Sequence, residues 1–207
     1  MTPSSQPRLI LASGSAGRLN VLRAAGIDPE VVVSGVDETC DEQLATAEIT
    51  GLLAERKASA VATVRPEALI LGCDSLLDFE QEALGKPATP ERAIALWRRL
   101  AGQHGTLYTG HCVIDGQTGR RARAVAATTV RFGTPTEAEL AAYVSSGEPL
   151  TMAGAFSIDG LGASFIEGID GDPGNVIGLS MPLLRRMLAD LGIPITDLWR
   201  DAAGTRA

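Results

Sequence analysis

The feature that most constrains this fold is a change in apolar spacing within the first 26 residues. Residues 9–12, Leu-Ile-Leu-Ala, form an apolar run that is typical of a buried strand. The Ser- and Gly-rich residues 13–17 are too flexible to continue that strand, and residues 18–25 resume with the spacing of a helix, which Gly26 ends. A strand, a loop and a helix in this order favour an α/β fold.

The same alternation continues along the first half of the chain. The apolar pattern predicts strands at residues 30–34 and 68–72, and helices at 44–64 and from Thr89-Pro90-Glu91 to Leu100. In the last of these helices Thr89 is the predicted cap and Pro90 lies in the first turn. We therefore expect a layer of helices against a sheet.

A predicted hairpin in the second half makes the sheet mixed. Residues 107–114 and 124–132 are rich in β-branched side chains and are joined by a Gly-containing turn at 115–119. Beyond it, Thr134 and Glu137 match a capping box with Pro135 at the first helical position, which predicts a helix to about Val144. Further strand candidates lie at 164–166 and 176–177, and a last helix runs from Pro182 to about Leu191.

The length of 207 residues and the composition fit one domain, or two lobes that share a core, spanning residues 1–207. The ends, at about 1–7 and 201–207, are expected to be flexible. The formal net charge is -7, and the calculated pI is about 4.9. This balance opposes a broad basic surface and excludes nucleic acid as the expected partner. A phosphate-bearing ligand must then be held by a local cluster of cations.

The cysteines and the N-terminus predict a cytoplasmic protein. Cys40, Cys73 and Cys112 are odd in number and contain no C-x-x-C pair, so neither a disulfide framework nor a zinc site is expected. The polar first eight residues and the short apolar run after them fit neither a signal peptide nor a membrane span.

The loop at residues 13–17 is a candidate phosphate cradle. Its small residues let backbone N–H groups approach a ligand, and the helix start that follows favours negative charge. Arg18 would add a fixed cation. The alternative is a tight turn in which Ser13 or Ser15 caps the helix.

Two carboxylates are candidates for metal binding or catalysis. Glu38 ends the segment Val36-Asp37-Glu38, and Asp74 ends an apolar strand beside Cys73, where a carboxylate is unusual. A hard cation such as Mg²⁺, bridging carboxylate oxygens and a substrate phosphate, would offset the cost of placing charge there. The alternative for Asp74 is an exposed strand end or turn cap.

Two lysines could face the same ligand. Lys57 lies on the helix face that otherwise looks buried, so its ammonium must meet an anion or extend to solvent. Lys86 stands in the rigid loop Gly85-Lys86-Pro87 with the same two alternatives. His104 and His111 lack metal-pair spacing, and no Ser or Cys lies in a nucleophile elbow, which disfavours covalent catalysis.

Taken together in their order, these segments resemble the Maf (septum formation inhibitor) family along nearly the whole chain. The segments that carry the resemblance are residues 9–15 with Arg18, Val36-Asp37-Glu38, Lys57-Ala58, Gly72-Cys73-Asp74-Ser75, Gly85-Lys86-Pro87, Tyr108-Thr109-Gly110, residues 153–162 and Asn175-Val176-Ile177-Gly178-Leu179.

The resemblance implies an elongated α/β fold like that of inosine triphosphate pyrophosphatases, with a mixed sheet, flanking helices and a cleft between two lobes. It implies hydrolysis of nucleoside triphosphates to monophosphate and pyrophosphate with Mg²⁺ or Mn²⁺, in a homodimer. Asp74 would be the catalytic acidic residue and a metal ligand with Glu38, and the substrate-binding residues would be Ser13, Ser15, Arg18, Lys57, Lys86 and Asp159.

Three departures from the family pattern concern substrate binding. The usual Ser-x-Ser-Pro-Arg-Arg has Gly17 before Arg18, so one arginine is missing; Ala-Asp-Thr is Cys73-Asp74-Ser75; and Asp159 replaces the usual Gln or Glu. The missing arginine would weaken binding by about 1.5 to 3 kcal/mol. Asp159 leaves the preferred base open.

Two other functions remain open at this point. The first is a nucleotide-binding regulator of septum formation with little catalysis, suggested by the absent arginine. The second is a metal-dependent phosphatase that releases single phosphates. Detection of binding without hydrolysis, and the identity of the product, separate these alternatives from a pyrophosphatase.

Overall fold

The computed structural model describes residues 8–41 and 43–200. The predicted flexible ends lie outside these residues. The helices are α1 (Ala16–Ala24), α2 (Thr46–Val64), α3 (Pro90–Leu100), α4 (Glu137–Ser145), α5 (Pro173–Ile177) and α6 (Met181–Asp190). The strands are β1 (Leu9–Leu11), β2 (Glu30–Val31), β3 (Leu69–Phe79), β4 (Glu82–Leu84), β5 (His104–Asp115), β6 (Arg121–Phe132) and β7 (Ile166–Asp170). Four 3₁₀ helices cover Glu148–Thr151, Ala153–Ala155, Leu161–Phe165 and Ile195–Leu198.

The strands form one seven-stranded mixed sheet in the order β2-β1-β3-β5-β6-β7, with β4 paired to β3. Strand β1 is parallel to both β2 and β3, whereas the other pairs are antiparallel. The predicted hairpin is the pair β5–β6, whose register runs from His104 opposite Arg131 to Ile114 opposite Arg121. The expected mixed sheet with flanking helices is thus confirmed.

Side chains alternate along β3, so the strand contributes apolar residues to both faces of the sheet, and helices cover each face. Leu69, Leu71 and Cys73 pack in one cluster with residues of α1 and α6, and Ile70 packs in another with Ala54 and Ala58 of α2. A third cluster around Trp97 lies between Leu77 of β3, β6 and helices α3 and α4. Within residues 8–41 and 43–200, no helix is long and apolar enough to cross a membrane.

Several predicted boundaries were wrong for identifiable reasons. The strand predicted at 68–72 continues to Phe79, so Asp74 lies in mid-strand and is not a strand end. The cap of α4 is Thr136, which forms a capping box with Glu139; Thr134 does not cap it, and Pro135 precedes the helix. The strand predicted at 30–34 has only two residues, and the one predicted at 164–166 begins at Ile166.

The strand predicted at 176–177 was also wrong, because these residues end the short helix α5. Asp172 caps α5 by accepting a hydrogen bond from the backbone N–H of Gly174, and Gly178 ends it with φ of 116°. A two-residue β-branched pair carries too little pattern to outweigh a cap on one side and a glycine on the other.

Candidate active site

The predicted site residues gather where the edge of β3 lies between the ends of two strands. Strand β1 pairs with Leu69–Leu71, and β4 pairs with residues 77–79 of the same β3 edge. The intervening residues 72–76 therefore face the loop that follows β1, while their other edge is paired to β5. Asp74 and Ser75 lie at this opening and point to opposite faces of the sheet.

Helix α2 crosses one face of this opening at unusually short range. A Cβ atom at Gly72 of β3 would collide with the backbone of Ala54, and one at Gly110 of β5 would collide with that of Thr50. The absence of side chains at these two glycines lets α2 lie directly on the strands. The close approach brings Lys57 of α2 onto the face that Asp74 occupies.

Lys57 joins the two predicted carboxylates. Its Nζ lies 2.6 Å from Oδ1 of Asp74 and 2.7 Å from Oε1 of Glu38. The side chains of Lys57 and Asp74 are each 10% exposed, whereas that of Glu38 is 62% exposed. The Lys57 ammonium therefore meets anions and does not extend to solvent, which were the two alternatives that the sequence left open. Glu38 lies on the solvent side of the buried pair of Lys57 and Asp74.

The two carboxylates differ in their affinity for protons. Burial raises the pKa of Asp74, and the repulsion from Glu38 adds to this, although the charge and hydrogen bond of Lys57 oppose it. The hydrogen bond from Lys57 lowers the pKa of Glu38, and the charges of Lys86 and Arg18 act in the same direction. The inner carboxylate is therefore the better proton acceptor, and the outer one the more firmly ionised anion.

Arg18 fixes the opposite face of the opening. Its Nε donates to the carbonyl oxygen of Gly178 at 2.9 Å, Nη1 to Oγ of Ser13 at 2.9 Å, and Nη2 to Oγ of Ser75 at 3.0 Å. Arg18 is buried. The guanidinium plane is thus held by the loop after β1, by β3 and by the residue that ends α5.

A hydrogen-bond chain extends this anchor into the fold. Oγ of Ser75 lies 2.9 Å from Oγ1 of Thr109, which donates to the carbonyl oxygen of Asn175 at 3.0 Å. The buried Asn175 amide donates in turn to the carbonyl oxygen of Leu107 and to Thr128. The sequence patterns indicated no role for Thr109 or Asn175, although both residues lie in segments that carry the family resemblance.

The loop after β1 has the geometry of a helix cap. Ser15 is the N-cap of α1, and its Oγ accepts from the backbone N–H of Arg18 at 3.4 Å. Oγ of Ser13 accepts from the backbone N–H of Ser15 at 3.2 Å as well as from Arg18. The capping alternative is therefore confirmed for Ser15, and the role of the loop as a phosphate cradle stays a prediction.

The space beside this loop is tight at Gly17, one of the positions that depart from the family pattern. A Cβ atom at Gly17 would lie 3.1 Å from Cγ2 and 3.2 Å from the carbonyl oxygen of Ile177. These distances are shorter than ordinary van der Waals contact. The glycine therefore lets α1 pack closely against α5, at the position where the family pattern has an arginine.

Among the residues that the structure describes, neither Lys86 nor Asp159 forms a hydrogen bond or ion pair with Lys57 or Asp74. Lys86 is exposed in the loop after β4, and its charge is one of those that lower the pKa of Glu38. Asp159 is exposed in the turn between two 3₁₀ helices. Asp159 is not among the hydrogen-bond or ion-pair partners of Arg18, Lys57 or Asp74 within the described residues, so its contact with the substrate remains a prediction.

The other reactive side chains nearby are structural. Burial raises the pKa of Cys73 to about 12 and that of Cys112 to about 11, so both thiols stay protonated. His111 is fully buried, with Nδ1 at 3.0 Å from the carbonyl oxygen of Thr109 and Nε2 accepting from the backbone N–H of Ser180 at 2.9 Å. Neither thiol is a ready nucleophile, which agrees with a mechanism without covalent catalysis.

Comparison with known proteins identifies the family and several relatives of this chain. The family model for Maf-like proteins matches residues 8–191. A nucleoside triphosphate pyrophosphatase of Streptomyces coelicolor is 59% identical over 205 residues, which cover 98% of this chain and 99% of that protein. One of Salinispora tropica is 51% identical, covering 99% and 93%. Among solved structures, the Ham1 protein of Staphylococcus aureus aligns with a TM-score of 0.46 at 15% identity, covering 89% of this chain and 95% of that chain.

Proposed function

This chain belongs to the Maf family, and we propose that it hydrolyses nucleoside triphosphates to the monophosphate and pyrophosphate. The observation that carries the proposal is the arrangement at the open edge of β3. Asp74 and Glu38 face Lys57 on one side of the strand, and Arg18 is fixed on the other. A polyphosphate placed at this edge meets cations from both sides.

The basic and the acidic residues of the site have different roles in the proposed reaction. Attack of water on the α-phosphorus builds negative charge on the phosphoryl oxygens and on the leaving pyrophosphate. Arg18, Lys57 and Lys86 stabilise that charge, and the rigid anchoring of Arg18 means that little reorganisation is needed during the reaction. Asp74, whose pKa is raised by burial, accepts the proton of the attacking water.

Glu38 and Asp74 are the residues that would hold a divalent cation, Mg²⁺ or Mn²⁺. Within residues 8–41 and 43–200, no group of three or more His, Cys, Asp or Glu side chains could hold a metal ion. Two carboxylates still suit Mg²⁺, which is commonly bound by one or two carboxylates together with substrate phosphates and water. When bound, the cation supplies charge stabilisation at the phosphoryl oxygens.

The physiological substrate belongs to the same proposal. Removal of non-canonical or excess nucleotides would fit a cytoplasmic enzyme, and the three cysteines are free, as a reducing compartment allows. Asp159 would contribute to base recognition. We also propose that the protein forms a homodimer, and this proposal rests only on its membership of the family.

The decisive experiment is a substrate panel. The purified protein is incubated with canonical and modified triphosphates in the presence of Mg²⁺ or Mn²⁺, and pyrophosphate and orthophosphate are measured separately. Pyrophosphate release that is lost in Asp74→Asn supports the proposal. Release of orthophosphate alone would indicate a phosphatase, and no release from any triphosphate would defeat the enzymatic function.

A nucleotide-binding regulator of septum formation is the second candidate, favoured by one observation. Gly17 occupies the position of a family arginine, and its close contact with Ile177 leaves little room for a side chain. Binding of a triphosphate, measured by calorimetry, without turnover over the whole panel would support this candidate. The same panel therefore distinguishes the two functions.

A further inference from the structure

Outside the charged cluster, Glu148 forms an unusual concentration of hydrogen bonds. It is the first residue of the 3₁₀ helix Glu148–Thr151. Its Oε1 accepts from Oγ of Ser157 at 2.8 Å, from the backbone N–H of Gly162 at 2.9 Å and from the hydroxyl of Tyr143 at 3.1 Å. Its Oε2 accepts from the backbone N–H of Leu161 at 2.8 Å.

These bonds close residues 148–162 into a ring. The carboxylate at the start of the segment holds three groups near its end, from Ser157, Leu161 and Gly162. A Cβ atom at Gly160 would collide with the Glu148 carboxylate. The backbone can therefore lie this close to the carboxylate only because residue 160 is a glycine. Asp159 lies within this ring.

The Glu148 carboxylate is held as an anion by neutral donors. Burial by itself raises the pKa of Glu148, but the N–H groups of Gly162 and Leu161, with the hydroxyls of Ser157 and Tyr143, lower it overall. Replacement by an amide would supply one acceptor oxygen and turn an N–H₂ group toward these donors. The arrangement therefore requires a carboxylate and not only a polar side chain.

The ring also holds the loop that carries Lys86. The backbone N–H of Gly154, in the ring, donates to the carbonyl oxygen of Gly85 at 3.0 Å. The backbone N–H of Ala88 donates to the carbonyl oxygen of Leu150, also in the ring, at 3.3 Å. One residue before Lys86 and two after it, the loop is therefore attached to the segment that Glu148 closes.

We propose that Glu148 is a positioning residue for substrate binding, which holds Lys86 at the site through the ring of residues 148–162. The inference rests on the proposed function, because Lys86 is assigned there to the triphosphate. Lys86 itself is exposed, so its position depends on the backbone of its loop. Glu148 thus contributes to substrate affinity without touching the substrate.

The test compares Glu148→Gln with two control variants. Val144→Ala truncates a buried side chain of α4 next to Tyr143 and so lowers stability while leaving the Glu148 bonds in place. Glu137→Gln removes an exposed carboxylate from the same helix. We expect Glu148→Gln to raise KM for the triphosphate about tenfold, with a smaller change in kcat, because the affected cation positions the substrate. Both controls should leave KM unchanged.

A double-mutant cycle with Lys86→Ala shows whether the effect passes through the lysine. If Glu148 acts by positioning Lys86, Glu148→Gln raises KM in the wild-type background and has little further effect once Lys86 is alanine. Additive effects of the two substitutions would overturn the inference, as would a KM for Glu148→Gln that matches Val144→Ala. Ser157→Ala, which removes one donor, should change KM in the same direction by a smaller factor and serves if Glu148→Gln does not fold.

Amide hydrogen exchange tests the same inference without turnover. Glu148→Gln should accelerate exchange at Ala88 and Gly154 relative to Val144→Ala, because the ring that orders them is opened. Unchanged protection at these two amides would overturn the positioning role even if the wild-type protein releases no pyrophosphate. Failure of the proposed function, seen as an inactive wild-type protein, is thereby distinguished from failure of this inference.

Discussion

The side chain of Arg18, which is proposed to bind the substrate, is also part of the scaffold of the fold. Three of its N–H groups are donated to Gly178, Ser13 and Ser75, which belong to three different parts of the fold. A guanidinium can satisfy these acceptors in one plane, whereas an ammonium cannot match their directions. The rigid position of this cation is therefore a property of arginine itself.

We predict that Arg18→Lys lowers kcat/KM by about ten- to a hundredfold, because hydrogen bonds to a charged group contribute about 1.5 to 3 kcal/mol. Steady-state pyrophosphate release measures the effect. The matched control is Arg23→Lys on the same helix, where the arginine is exposed and bonds to Asp28 at the surface. An unchanged kcat/KM for Arg18→Lys would contradict the proposal that the planar guanidinium is needed to hold this cation in position.

His111 predicts a pH dependence of stability. Burial lowers its pKa to about 4, and the charge of Arg18 acts in the same direction, although the hydrogen bond to Thr109 and the charge of Asp172 oppose this. In the unfolded chain the pKa is near its ordinary value of about 6.5. Between these values the unfolded chain binds a proton that the folded protein does not, so stability falls as the pH is lowered from about 6.5 to 4.

The expected loss from this group is on the order of 3 kcal/mol over that range. Urea unfolding of the wild type and of His111→Gln, at several pH values, measures the difference in free energy of unfolding between them. This difference should move in favour of the variant as the pH falls. A difference that does not vary with pH would show that His111 has the same pKa in both states.

At the residue scale, the sequence indicated the charged residues of the site better than the polar residues that hold the surrounding structure in place. The family resemblance, together with the apolar surroundings of Lys57 and Asp74, pointed to Lys57, Asp74 and Glu38 as one group, and the structure joins them by ion pairs. The role of Arg18 in substrate binding stays a prediction. Thr109, Asn175 and Glu148 were missed, because a threonine, an asparagine or a glutamate is common on surfaces. Their importance comes from partners distant in sequence: Thr109 and Asn175, for example, lie 66 positions apart.

Among the elements, the pair formed by α2 and β3 decides whether the site assembles. Lys57 reaches Asp74 only because α2 lies against Gly72 and Gly110. The collision of a Cβ at Gly72 involves the backbone of Ala54 and Ala58, which cannot rotate away as a side chain could. The helix must move as a whole.

We therefore expect Gly72→Ala to destabilise the protein by about 1 to 3 kcal/mol through overpacking, and to lower kcat/KM by displacing Lys57. The control is Gly51→Ala in α2, where a Cβ would lie at 3.4 Å from Val125, an ordinary contact, and where alanine favours the helix. Thermal unfolding and pyrophosphate release are measured for both. Equal behaviour of the two variants would show that the close approach of α2 is not required.

The elements were predicted best where a cap or a long pattern marks them. Helix α3 was predicted with its Thr89 cap. Helix α2, whose N-cap Ala45 makes no side-chain cap bond, was predicted within two residues of its start from its long apolar pattern. The extension of β3 beyond residue 72 was missed, because Asp74 interrupts the apolar run. That carboxylate is tolerated in mid-strand by Lys57, a contact that no local pattern contains.

On the scale of the whole molecule, the net charge of -7 opposes an anionic substrate. Arg18, Lys57 and Lys86 reverse this locally, yet two of the nearby charges, Asp74 and Glu38, are negative. A triphosphate therefore meets a site in which carboxylates and cations are nearly balanced. A divalent cation carried with the substrate would shift that balance towards binding.

We accordingly predict that metal and triphosphate bind together. Two carboxylates that already share the ammonium of Lys57 should give weak affinity for Mn²⁺ alone, whereas substrate phosphates complete its coordination. Thermal unfolding measures this. Mn²⁺ alone should shift Tm by about 1 °C or less, and Mn²⁺ with an analogue whose α,β bridge resists cleavage by about 5 to 10 °C when ligand is near a hundredfold above Kd.

Glu38→Gln supplies the control for this prediction, because it removes one exposed carboxylate and leaves the pair of Lys57 and Asp74 in place. In this variant the part of the Tm shift that requires Mn²⁺ should fall, while the part produced by the analogue with a chelator present should persist. A full shift from Mn²⁺ alone in the wild type would instead indicate a metal site built by the protein. The order of binding would then be fixed by the carboxylates and not by the substrate.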